Sequence, residues 1–374
     1  MMTLILAHKH KNLQRLIIVT FSAIGLASCG NRPSELASDP QPGNNKPSAL
    51  VADPQPRNSG RTFADWCRQK ASLSPEAKHT VELLLKEAGT TECDAANQRL
   101  SSLTILLLDD NQISDIKPLE SLTNLPWLSL KFNQISDIKP LQSLTKLTNL
   151  NLSDNKISDI KPLASLTNLK QLYLDNNPLS DIKPLESLTN LTELLLKQNL
   201  LSDIKPLESL TNLSLLHLSN NQISDIKPLE SLTNLTWILI DNNQISDIKP
   251  LKSLTNLIYL NLGDNQINNI KPLESLTNLT GIDLDNNQIS DIKPLESLTN
   301  LTSLGLSDNQ ISGIKPLKSL TNLTWLDLEN NQISGIKPLE SLTKLTSLGL
   351  SGNPIAPKTC PLKPESICNW KPLN

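Results

Sequence analysis

A chain of 374 residues with a formal charge of −3 and only 3% aromatic residues lacks the basic footprint of a nucleic-acid-binding protein. Nor can it build one thick aromatic core. Its length would ordinarily indicate two or three domains, yet about two-thirds of it follows a single unbroken period, so length here counts repeats.

In chain order, residues 1–28 read as an export signal. His8, Lys9, His10, Lys11 and Arg15 precede an apolar run from Leu16 to Ala27, which is too short to span a bilayer. The run ends in Leu26-Ala27-Ser28-Cys29, which resembles the bacterial lipobox. That resemblance implies a diacylglycerol on the sulfur of Cys29 and an exported, membrane-anchored lipoprotein. Gly30 in place of an aspartate favours the outer membrane or cell surface over the inner membrane. The rival reading is an ordinary signal peptide with a chance cysteine. Residues 29–60 hold Pro33, Pro40, Pro42, Pro47, Pro54 and Pro56 among Ser, Asn, Asp and Gly, and have little to bury. They read as a disordered tether, with a reach of roughly 95 Å if fully extended at ~3.1 Å per residue.

Residues 61–100 leave the period and read as a helical N-terminal cap. Ser74 is placed to cap a helix that starts at Pro75, with Glu76 in its first turn. Val81, Leu84, Leu85 and Ala88 share one face of that helix, and Gly89 is its stop. Such a cap is required because a first solenoid turn left bare would expose leucines and a sheet edge.

Residues 101–357 are twelve copies of a 22-residue unit. Their fixed points are Asn111, Asn133, Asn155, Asn177, Asn199, Asn221, Asn243, Asn265, Asn287, Asn309, Asn331 and Asn353. Numbered from each asparagine, leucine or isoleucine recurs at −8, −5, −3, +2 and +5. The −5 and −3 residues alternate as a short strand does, and twelve stacked strands predict a parallel sheet roughly 55 Å long. Each asparagine is expected inside, serving backbone groups of its own and the next coil. The Ile-Lys-Pro-Leu segment lacks an amide hydrogen at proline, so it reads as a 3₁₀ or extended turn on the convex side.

The wording NQISDIKPLxSLTNLTxLxL resembles the 22-residue bacterial class of leucine-rich repeats, most closely the internalins. The resemblance implies an α/β solenoid: a right-handed leucine-rich repeat horseshoe whose parallel β-sheet lines the concave face. It also implies binding of proteins or other surface ligands on that face. Neither a cell-wall sorting motif nor an immunoglobulin-like module follows the repeats in this sequence, so adhesion and host invasion are not carried over.

Residues 358–374, with Cys360, Cys368 and Trp370, read as a second cap. Setting Cys29 aside leaves four cysteines and three pairings. Twelve repeats hold the two ends too far apart for a bridge, because bonded cysteines need Cα atoms within about 7 Å. Cys67 with Cys93 and Cys360 with Cys368 remain, and an exported location permits both.

Between repeats, variation concentrates at −6, −4 and −2, which are expected to point outward from the concave sheet. Trp127, Trp237, Tyr259 and Trp325 occupy −6 and Tyr173 occupies −4. Asp283, Asp285, Asp327 and Glu329 fall in the same columns, as do Asp109, Asp175, Glu193 and Asp241, opposed mainly by Lys131 and Lys197. The expected function is therefore binding of a protein or glycan on an acidic, aromatic-bearing face. The expected site is a gap between Tyr259 and Trp325, over the small Gly281 and Ser303, flanked by the acids. The competing readings are a spacer without a ligand and, more remotely, a glycan-acting enzyme. Asp283 and Asp327 would sit about 9–10 Å apart, near the spacing of inverting glycosidases. No second catalytic signal accompanies them: His217, the repeats' one histidine, reads as an exposed contact rather than a base. A calcium site at Asp283 and Asp285 lacks a loop of clustered oxygens. No catalytic residue, cofactor, metal or nucleic-acid partner is expected.

Overall fold

The computed structural model describes residues 61–371. The export signal, the tether and Cys29 lie outside the described residues. The first described elements are three helices: α1 (Phe63–Arg68), α2 (Pro75–Ala88) and α3 (Cys93–Ser101). Local chemistry fixes their ends. Thr62 and Asp65 form a reciprocal capping box on α1. The Ser74 hydroxyl accepts from Ala77 N–H to start α2, and Gly89 ends it in the left-handed region at φ 60°. Val81, Leu84, Leu85 and Ala88 are buried against the array, and the Cys67–Cys93 disulfide ties α1 to α3 with Cα atoms 5.5 Å apart.

Thirteen parallel strands follow in simple sequential order. The first, β1, spans Ile105–Leu107, and strands recur at 22-residue steps to β12 (Ser347–Gly349). Each covers positions −6 to −4, and equivalent residues pair across coils, as Tyr259 does with Gly281 and Ser303 with Trp325. The thirteenth, β13 (Cys368–Asn369), is built by the tail, a strand that the 22-residue pattern does not contain. Cys360 and Cys368 are bonded with Cα atoms 5.8 Å apart.

The leucine and isoleucine columns form one continuous thin core, renewed at every coil; Leu284 and Leu304, for example, have no exposed surface. Each Ile-Lys-Pro-Leu segment enters a 3₁₀ turn such as Lys117–Ser121, with proline at its second residue. The aspartate at +4 starts that turn: Lys117 N–H donates to Asp115 Oδ1 at 2.9 Å, and the same bond recurs at Asp159 and Asp291. The asparagine ladder runs toward the preceding coil rather than the next one. Asn133 Nδ2 donates to Leu108 O of the coil before and to Leu130 O of its own, while its Oδ1 accepts from Ile113 N–H. One amide thus satisfies groups in two coils that a hydrophobic core would otherwise strand. The residue before each asparagine is left-handed, at φ 52–59° from Asp110 to Asn330, which explains why Asp and Asn dominate there.

Candidate functional site

The concave face is a sheet of short rows, so each outward side chain lies roughly 4.8 Å from its counterparts in the neighbouring coils. That proximity changes which residues meet solvent. The structure corrects three expectations. Asp327 and Glu329 are buried, at 8% and 7% exposure, rather than projecting freely. His217 is buried as well, at 9%. It lies in a row between Leu195 and Leu239. Burial with Lys197 nearby pushes its imidazole down to about 3, so it is neutral at ordinary pH and is not an exposed contact.

The third correction concerns the gap over Gly281. The Tyr259 ring fills much of it, because a Cβ on Gly281 would lie 2.8 Å from Tyr259 Cδ2. Tyr259 also stacks on Trp237, with centroids 5.0 Å apart and planes at 27°. The two rings therefore make one shelf that reaches forward over Gly281, with half-buried Ser303 and then half-buried Trp325 beyond it. Burial, with Asp283 and Asp241 close by, raises the Tyr259 hydroxyl well above its ordinary range.

The carboxylates have structural work that their spacing alone did not reveal. In many coils the −2 backbone N–H donates to a nearby side-chain oxygen rather than to a strand partner. Asp283 Oδ1 accepts from Asp285 N–H at 3.0 Å, and Asp327 Oδ1 accepts from Glu329 N–H at 3.0 Å. Asp285 Oδ1 reaches into the next coil and accepts from Ser307 N–H at 2.7 Å. Asp109 and Asp175 do the same for Lys131 and Lys197. Asn151 and Asn261 fill this role where no acid is present. Asp283 and Asp285 also converge over Gly305, within about 3 Å of where a Cβ would stand. Part of the acidity of this face is thus a consequence of satisfying strand ends.

Burial pushes Asp327 up to about 7, reinforced by Asp285, Glu329 and Asp308. Asp175 is also pushed up to about 7 by burial, opposed by the Lys197 N–H and the Lys197 charge. Tyr173 lies apart from the shelf, in β4 (Gln171–Tyr173), and donates its hydroxyl to Glu193 Oε2 at 2.8 Å. Gln171 donates to the other oxygen of Glu193 at 2.9 Å. Trp127, in β2 (Trp127–Ser129), is more exposed than the other concave aromatics and sits beside Ile105. The sequence reading missed the apolar pair Ile105 and Leu107, which are 48% and 55% exposed. Their signal was present: they occupy outward columns with aliphatic side chains. Among the described residues no group of three or more His, Cys, Asp or Glu is placed to hold a metal ion.

Parallel strands, 3₁₀ turns and an asparagine ladder at a 22-residue step define a leucine-rich repeat solenoid. The family model described as Leucine Rich repeats (2 copies) matches residues 127–165, 145–187, 189–231, 233–276, 255–297 and 277–319, and a second, Leucine rich repeat, matches 299–355. The chain belongs to the leucine-rich repeat family, with internalin-like repeats. It is similar to the internalin InlF of Listeria monocytogenes, at 39% identity over 76% of this chain and 85% of that one, with a TM-score of 0.73. Internalin C2 of the same organism is 36% identical over 57% of this chain and 96% of its own, with a TM-score of 0.54. A leucine-rich repeat protein of Leptospira interrogans is 33% identical over 70% of each chain, with a TM-score of 0.67. No curated protein matches the chain.

Proposed function

We propose that this protein is a lipid-anchored binding module that holds a protein ligand against the Trp237–Tyr259 shelf. The stacked pair is the observation that carries the reading. Two rings locked together and half-buried on a rigid sheet offer apolar area at little entropic cost on binding, as binding hot spots do. Asp283, Asp285 and Trp325 continue the surface beyond the shelf, and an acidic, aromatic border suits a basic side chain of the ligand. Leucine-rich repeat domains commonly bind proteins, which supports a protein over a glycan. The lipid on Cys29 is part of the proposal and rests on Leu26-Ala27-Ser28-Cys29 alone.

The test has two arms. Mass spectrometry of the purified N-terminus should find diacylglycerol on Cys29, and Cys29→Ala should abolish anchoring. For the ligand, the mature chain is immobilised, bound proteins are identified, and each is measured against Trp237→Ala and Tyr259→Ala. Each substitution should weaken a shelf ligand by tenfold or more. A captured protein that binds both variants as it binds the wild type does not use the shelf, and the reading fails.

A further inference from the structure

The sheet ends on two edge strands, β1 and the two-residue β13, and the edge of β1 is the longer. Within the array, the −6 N–H donates back to the −7 carbonyl of the preceding coil, as Asn149 does to Pro126 and Trp325 to Thr302. Alternate residues donate forward, as Leu108 does to Ser129 O at 2.9 Å. Among the described residues no strand precedes the first coil. The backbone groups of Ile105 and Leu107 that face backward therefore have no strand to meet.

The cap helices close the core without supplying one. α2 reaches the first coil past the strand, where His79 Nε2 meets Asn111 O at 2.7 Å and Thr80 Oγ1 donates to Asp115 O at 2.7 Å. Arg99, on α3, turns back to Ala88 and Gly89 carbonyls inside the cap.

The side chains of the same two residues are the second observation. In the interior, aliphatic residues of the −6 and −4 columns are partly or wholly covered by their neighbours: Leu215 is 4% exposed, Leu239 5%, and Leu195 is half-buried. Ile105 and Leu107 stand at 48% and 55% because one flank is missing, and Trp127 continues the apolar surface from the next strand. A terminal strand normally protects its edge with charge or proline. Here the edge carries aliphatic residues instead, whose uncovered flanks adjoin the in-plane donors and acceptors of the same strand.

We propose that the free edge of β1 takes an extended segment of a partner protein, which adds to the sheet as a further strand. Main-chain bonds supply the affinity in this mode, and pockets for alternate side chains supply selectivity. The partner chemistry follows from the surroundings. The segment needs apolar residues at alternate positions, to lie beside Ile105, Leu107 and Trp127. Residues 101–114 contain Asp109 and Asp110, both exposed where β1 ends, and no lysine or arginine, while Asp115 is already paired with Lys117 at 3.4 Å. A lysine or arginine at the end of the segment nearest those acids completes the match. A second copy of this chain would bring its own acids and no positive charge in this stretch. The site is separate from the shelf and does not depend on it.

Leu107→Pro is the decisive variant. It removes an outward-facing N–H while leaving the inward bonds of Leu106 and Leu108 intact, a position where an edge strand tolerates proline. Random heptapeptides displayed on phage are selected on the full mature chain. The recovered family should alternate apolar residues and carry a lysine or arginine, and a synthetic member should lose tenfold or more in affinity for Leu107→Pro. N-methylation of alternate peptide amides should cost as much. The double variant Ile105→Thr, Leu107→Thr preserves strand propensity and should also weaken the peptide severalfold, which guards against misfolding of the proline variant. Recovery of no peptide family, or of peptides that bind Leu107→Pro unchanged, overturns the proposal. So does loss of binding in Trp237→Ala with Leu107→Pro unaffected, which assigns the peptides to the shelf. Concentration-dependent dimerisation of the wild type that Leu107→Pro removes also overturns it, by making a second copy the occupant.

Discussion

The two ends of the solenoid close the same structure by different means. At the C-terminal end the chain adds β13, which pairs with β12, and Asn369 O accepts Leu350 N–H at 3.0 Å beside the Cys360–Cys368 bridge. At the N-terminal end three helices and the Cys67–Cys93 bridge seal the leucine columns, but no helix continues the hydrogen-bond ladder of β1. Closing a hydrophobic core and extending the sheet are thus separate tasks. The C-terminal cap seals the core and extends the ladder by one two-residue strand, whose far side is then the sheet's edge, whereas the N-terminal cap seals the core and leaves a full repeat strand as the edge.

The largest effects test whether the helices seal the core as fully as the strand does. Leu106 and Leu348 are the inward residues of β1 and β12, at 1% and 0% exposure. Truncation to alanine should cost about 2–5 kcal/mol at each end, and the two costs should agree within about 1 kcal/mol. Chemical denaturation measures both. A much cheaper Leu106→Ala would mean that the helical cap is a loose plug, and the contrast between the ends would extend to the core.

The bridges come next. Cys67–Cys93 closes a separation of 26 residues and Cys360–Cys368 one of 8. By loop-closure entropy, replacing the cysteines with serine should cost about 3.5 kcal/mol at the first and about 2.5 kcal/mol at the second. Equal or reversed losses would show that local packing, not loop length, governs the caps.

A pH profile extends the comparison from the ends to the halves. Asp175 and Asp327 both have folded-state values raised to about 7, so the folded protein holds their protons more tightly than the unfolded chain does. Their contribution is therefore fully present below the ordinary carboxylate range and is lost as pH rises through about 7. Stability should fall by on the order of 1 kcal/mol or more per carboxylate between about pH 4 and 7. Asp327→Asn and Asp175→Asn should each flatten this slope by a comparable amount, because burial raises both carboxyls to about the same value.

These contrasts also mark what the sequence made legible. The period fixed the strand positions, the inward leucines and the 3₁₀ turns, because burial repeats with the chain and reads directly as a column. It separated inward from outward residues but not exposed from covered ones among the latter. Leu239 and Leu107 are the same letter in the same column; Leu239 is covered and Leu107 is not, since cover depends on the coil in front and behind. The capping role of Asp283 and Asp285 was hidden for a similar reason. An acid beside an unpaired N–H and an acid awaiting a ligand have the same spacing, and only the bond to Ser307 N–H tells them apart. Tyr259 was placed in the right row, yet the fall of its ring over Gly281 is a rotamer choice that no periodicity encodes.

The smallest effect concerns two coils near the C-terminal end, where Gly313 and Gly335 replace the turn-starting aspartate. Elsewhere a carboxylate or amide oxygen at +4 accepts the +6 N–H: Asp247 serves Lys249 at 3.0 Å, and Asn269 serves Lys271 at 3.0 Å. Glycine offers no such acceptor and adds backbone freedom to the unfolded chain. A Cβ at either position would meet nothing within 4 Å. Neither is among the positive-φ glycines of the described residues, Gly89 and Gly352, so a side chain should be accommodated without strain. Gly313→Asp and Gly335→Asp should each stabilise the protein by about 0.5–1.5 kcal/mol, the sum of a restored cap and reduced unfolded-state entropy. Thermal melts of the single and double variants measure the gain. Gly313→Ala separates its parts: it should keep the entropic gain of a few tenths to about 1 kcal/mol and lack the hydrogen bond. If alanine matches aspartate, the acid at +4 is a solvated charge rather than a cap, and the bond seen at Asp247 adds nothing measurable.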